Sequence, residues 1–100
     1  TLANPFGANA IISRIVLRIS TQSTGAANLV IGVAANATTS ANNLIDTLNA
    51  AQTGVFDNIT NKGAGGASIQ SVSSTQVVTV TGSADTTGLV GTAYVEWFNG

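Results

Sequence analysis

Between Ala10 and Ser20 the chain reads AIISRIVLRIS, an alternation in which Ile11, Ser13, Ile15, Leu17 and Ile19 share one face. Ile12, Arg14, Val16 and Arg18 share the other. A repeat of two is that of an extended strand, whose successive side chains leave opposite faces of a sheet. The segment also holds four isoleucines and a valine, β-branched residues that suit a pleated surface and crowd a helix. An edge-exposed strand of this length needs partners, and the remainder of the chain supplies them.

Further strands are expected at Asn28–Val33, at Gly54–Ile59, and at Ala67–Val72, Gln76–Thr81 and Leu89–Phe98. Turn-rich stretches separate them: TQSTGAA at 21–27, TNKGAGG at 60–66, Ser73-Ser74, and the run from Gly82 to Gly88. Short strands with turn signals at such intervals predict an all-β fold, a small antiparallel β-sandwich of jelly-roll type. One departure is expected. Ala41, Leu44, Ile45 and Leu48 recur at helical spacing behind Ser40, a capping residue, which predicts one short helix near 41–49. Residues 1–9, TLANPFGAN, read as a leading segment or short arm, and 1–100 as one domain. A chain that opens on Thr1 is expected to have been processed or excised from a longer protein.

Charge is where the composition departs from the ordinary. Only 7% of the 100 residues are charged, against about 25% in a typical domain, and the formal net charge is -1. Neutral Thr, Ser and Asn take the place of charge. Three cations cannot track a phosphate backbone, so no nucleic-acid partner is expected. No apolar run reaches the roughly 20 residues of a helical membrane span, and no membrane partner is expected. The absence of Cys and His removes thiolate ligands, the commonest nitrogen ligand and the usual proton shuttle.

What chemistry remains is thin. A Ser-Lys dyad would need a desolvated Lys62, but Asn61, Gly63 and Ala64 make its setting an exposed loop. The acids Asp46, Asp57, Asp85 and Glu96 have no spacing that pairs any two locally. Residues 57–63, DNITNKG, are oxygen-rich like a calcium loop, yet Ile59 takes the third ligand position and Lys62 lies inside. Turn chemistry explains that stretch at lower cost, with Asp and Asn bonding their own backbone and Gly63 supplying positive φ. Asn36-Ala37-Thr38 and Asn58-Ile59-Thr60 are glycosylation sequons of a kind that arises by chance in a chain rich in Asn and Thr. No catalytic, cofactor-binding or metal-binding residue is assigned, and no cofactor is expected. Four residues are candidates for an interface. Arg14 and Arg18 share a strand face about 13 Å apart, from a rise of ~3.3 Å per residue, with Glu96 as a cross-strand partner. Tyr94 and Trp97 fall on opposite faces of the last strand, so one belongs to the core and the other is free to anchor a partner or a sugar.

The stretch from Asn4 to Thr39, with NPFG, AIISRIVLRIST and NLVIGVAANATT, resembles small structural proteins of tailed bacteriophages. So do NLIDTLNAAQTGVFDNITNKG and the closing LVGTAYVEWF. The likeness is to the capsid decoration (cement) and head-fibre group, and its motifs are patterns of turns and strands over nearly the whole chain. It implies a β-sandwich or jelly-roll on the virion surface, bound to the major capsid protein as a homotrimer, with no catalytic residue. Such proteins often carry an extended arm, and only residues 1–9 are placed to act as one. The expected function is therefore non-enzymatic capsid stabilisation by bridging shell subunits. The alternative is a carbohydrate- or receptor-binding module of a fibre or adhesin, which would use exposed aromatics from a set of five (Phe6, Phe56, Tyr94, Trp97, Phe98).

Overall fold

A computed structural model describes residues 1–99. Among them are eight strands and no helix: β1 (Leu2–Ala3), β2 (Ala10–Thr21), β3 (Asn28–Ala34), β4 (Ile45–Asn49), β5 (Gly54–Asp57), β6 (Gln70–Val72), β7 (Val77–Gly82) and β8 (Val90–Asn99). They form two antiparallel sheets. One has the order β1-β7-β3-β4, with β7 running along the whole of β3 from Leu29↔Gly82 to Ala34↔Val77. The other is organised by β2. Strand β8 follows one edge of β2 from Ala10 to Thr21, so β5 and β6 must share the opposite edge end to end, at Val16–Ile19 and Ala10–Ile12 respectively. The inner faces of both sheets feed one apolar cluster, built on Ile12, Ile15, Leu17 and Ile19 from β2 and on Leu29, Ile31 and Val33 from β3.

The alternation in β2 holds with one change of phase. Ile12 pairs with Trp97 and Arg14 with Glu96, so Ser13 is an extra residue on β2, a bulge. The bulge turns Ile12 into the core with Ile15, Leu17 and Ile19, and it leaves Ile11 on the outside. Strict alternation would have done the reverse at this end of the strand.

The helix expected near 41–49 is absent; β4 occupies its second half. Leu44, Ile45 and Leu48 are buried, as a helical stripe would require, but Ile45 and Leu48 pair with Ile31 and Leu29 of β3, and Leu44 N–H donates to Ile31 C=O. A helix of two turns gains too little from its own hydrogen bonds to compete with a waiting sheet edge. Between Ile31↔Ile45 and Leu29↔Leu48 the strand carries an extra residue, and Thr47 there adopts φ 73°. The preceding loop is held by Asn43, whose Oδ1 accepts from Val33 N–H (2.7 Å) and whose Nδ2 donates to Val33 C=O (3.1 Å). Its amide thus imitates the next rung of the ladder. The approach needs Gly32, where a Cβ would lie 2.5 Å from Asn43 Oδ1.

Residues 1–9 are exposed except for Asn4 and are tied to the fold at three points, one of them the contact between Phe6 and Trp97. Leu2 and Ala3 pair with Val78 and Val77, and buried Asn4 donates to the carbonyls of Ala8 and Ser73.

Candidate functional site

The outer face of the β2 sheet gathers most of the interface candidates. On β2, Arg14, Val16 and Arg18 point outward, and β8 sets Glu96, Tyr94 and Thr92 beside them in register. Tyr94 is 57% exposed and Phe98, four residues on and therefore on the same face, 55%. Ile11 stands opposite Phe98, while Val55 pairs with Arg18 from the other edge. The face is thus an apolar and aromatic strip with two guanidinium groups along it. A shallow groove of about 380 Å³ runs between Arg14, Val16, Tyr94 and Glu96.

Trp97 goes to the other side. It packs on the core cluster and meets Phe6 edge to face, with ring centroids 6.3 Å apart and an interplanar angle of 77°. Of the two aromatic candidates, then, Tyr94 faces out and Trp97 is a packing residue.

The charge pairing differs from the expected one. Arg14 stands opposite Glu96 in the ladder, yet its guanidinium bonds Asp57 across the other edge (3.1 Å), and Glu96 accepts from the Ser13 hydroxyl. The bulge accounts for this, since it brings Ser13 over Glu96. Asp57 is already fixed in place, because its Oδ1 accepts from the N–H groups of Thr60 (2.7 Å) and Ile59 (2.8 Å). Those two donors, and then the Arg14 charge, hold its carboxyl below the usual value of 3.8. Arg18 has no acidic partner among the described residues.

The 57–63 stretch is organised by turn chemistry. Besides the two bonds to Asp57 Oδ1, Asn61 Oδ1 accepts from Asp57 N–H at 3.1 Å, and Gly63 has φ 71°. Asn58 is fully buried, and both ends of its amide are used: Oδ1 accepts from Ile15 N–H (2.9 Å) and Nδ2 donates to Ala67 C=O (2.9 Å). In the folded chain this sequon therefore presents no free amide. Asn36, in the other, lies on an exposed turn.

Sequence reasoning did not select Ile11, Val55 or Phe98 for this face. Phe98 was accessible from its spacing to Tyr94; Ile11 was not, because only the bulge turns it outward. No group of three or more Asp or Glu residues with the spacing of a metal site occurs among the described residues. No helix there is long and apolar enough to cross a membrane. In comparison with known proteins, no protein-family model matches the chain, and no curated protein or solved structure is similar to it.

Proposed function

We propose that this chain is a non-enzymatic structural protein of a virus particle that stabilises the capsid by bridging neighbouring shell subunits. On this reading the two antiparallel sheets form a β-sandwich of jelly-roll type. The observation that carries the reading is the outer face of the β2 sheet, where Tyr94, Phe98, Ile11 and Val55 stand exposed beside Arg14 and Arg18. Aromatic and Arg side chains are what protein interfaces concentrate, and the two acids on this face are already paired, Asp57 with Arg14 and Glu96 with Ser13. A neutral surface of Thr, Ser and Asn can be covered permanently at modest cost if its hydroxyls and amides find partners. Each copy seated across a seam adds buried area to the closed shell and shifts the shell toward that state by mass action.

The test is to purify particles from the source of this chain and examine them by mass spectrometry and electron microscopy. A stoichiometric copy on the shell, with the β2 sheet's outer face against the major capsid protein, is expected. Intact particles that lack the chain overturn the proposal. A second reading has one observation in its favour: the groove beside Tyr94 sets a ring next to Arg14 and Glu96, the combination a sugar needs for stacking and hydrogen bonding. Saturable binding of a glycan, abolished by Tyr94→Ala in a chain that joins no particle, would establish it instead.

A further inference from the structure

Strand β8 has one partner. Among the described residues it pairs only with β2, so alternate residues between Gly91 and Asn99 present unpaired N–H and C=O groups on its second edge. Long edges of this kind are usually blunted by lysine, proline or a bulge on the edge strand. Strand β8 has none of these. Both bulges opposite it add their residue to β2, and the one charge it carries, Glu96, is turned to Ser13. Its inner face is also incompletely covered. Gly91 and Ala93 belong to the core-facing phase with Val95 and Trp97, yet they are exposed. They border an apolar cleft of about 250 Å³ whose floor is Leu17, Ile19 and Leu29 and whose far wall is Val80.

We infer that this edge is a docking surface for a second copy of the same chain, which pairs its own β8 antiparallel about a two-fold axis at Tyr94. Three observations select that occupant and that register. Centring the axis on Tyr94 pairs Val90 to Phe98, as many residues as an axis at Val95 pairs and more than an axis nearer either end, and it avoids setting Val95 against itself. It places Glu96 opposite Thr92 of the second copy, while an axis at Glu96 would set two carboxylates face to face, which is destabilising. It also matches large to small on the inner face. Trp97 stands opposite Gly91 of the second copy and Val95 opposite Ala93, so each copy's bulky pair lies beside the other's open cleft.

Ten residues at ~3.3 Å give a continuous edge of about 33 Å. An interface of this kind is self-complementary and closes at two copies, which departs from the trimer that the family resemblance implies. It joins the two β2 sheets into one and lays their outer faces side by side. The inference stands on the edge geometry and not on the virion reading, so the particle experiment above decides that reading separately.

The chain has no cysteine, so a single introduced thiol reports one position. Sedimentation of the unmodified chain is expected to give a dimer of 9.9 kDa subunits. Under oxidation Tyr94→Cys should form a covalent dimer, because residues directly opposite have Cβ atoms about 5 Å apart. Thr92→Cys should not, since its counterpart lies four positions away, about 13 Å along the strand. Tyr94→Lys, which faces two ammonium groups at the axis, should raise the dissociation constant about tenfold or more. Ile59→Lys, exposed in the turn after β5 and away from β8, should leave it unchanged. Circular dichroism and a melting curve establish that each variant is folded. A monomer at up to about 100 µM overturns the inference. So does a trimer, or cross-linking through Thr92→Cys in preference to Tyr94→Cys.

Discussion

Replacing Asn58 by alanine removes a side chain that ties β2 to the loop after β5 from inside the core. The wild-type amide satisfies Ile15 N–H and Ala67 C=O, each at 2.9 Å, at a position with no exposed surface. Alanine leaves a buried donor and a part-buried acceptor without partners. Each such group costs about 1–3 kcal/mol, the part-buried acceptor at the lower end, and the void adds little because the amide is small. The expected loss is about 3 kcal/mol, a large share of the 5–15 kcal/mol typical of a whole domain. With a urea m-value near 1 kcal/mol per M, the unfolding midpoint should fall by about 3 M. Asn58→Asp sharpens the experiment. A carboxylate still accepts from Ile15 N–H, but it turns a lone pair toward Ala67 C=O and buries a charge. Once protonated, its O–H can donate to that carbonyl. The folded state therefore binds the proton more tightly than the unfolded one, and the variant's deficit should grow as pH rises above about 4. An Asn58→Ala midpoint within the scatter of exposed Asn36→Ala, or an Asn58→Asp deficit independent of pH, would refute this account of the clamp.

Thr47→Gly should stabilise the fold by about 0.5–1 kcal/mol, since a β-branched residue at φ 73° carries strain that glycine lacks; a lower melting temperature would count against it. Thr79→Val should be neutral or stabilising by up to about 1 kcal/mol, because the buried Thr79 hydroxyl has no hydrogen-bond partner to lose; calorimetry showing a clear loss would mean that the hydroxyl is satisfied. For Asp57 the folded pKa is lowered from 3.8, so its contribution is complete above that value and is lost as pH falls through the lower, folded value. Asp57→Asn should flatten the acid side of the stability profile. A slope equal to the wild type's would refute that role for Asp57.

The strands were legible in the sequence wherever a segment alternated or ran apolar between turn residues. That reading located β2, β3, β7 and β8 to within a residue or two at most ends, because a two-residue period is a property of the local chain. The opposite faces of Tyr94 and Trp97 followed from the same period. So did the turn chemistry of 57–63, since Asp, Asn and Gly act on their own backbone within a few residues. Other features were decided by partners distant in sequence. Leu44, Ile45 and Leu48 satisfy a helical stripe and a strand equally well at this length, and the free edge of β3 chose between them. Whether Ile11 or Ile12 enters the core depended on a bulge that exists only against β8, more than 80 residues away in the chain. Arg14 took Asp57 over Glu96 for the same reason, as the bulge gave Glu96 the Ser13 hydroxyl. The buried amide of Asn58 and the bare edge of β8 left no local mark at all. Composition and period determine which segments extend and which faces are apolar; which faces meet, and which edge is left over, is set by the pairing of distant strands, a non-local energy that no short window contains.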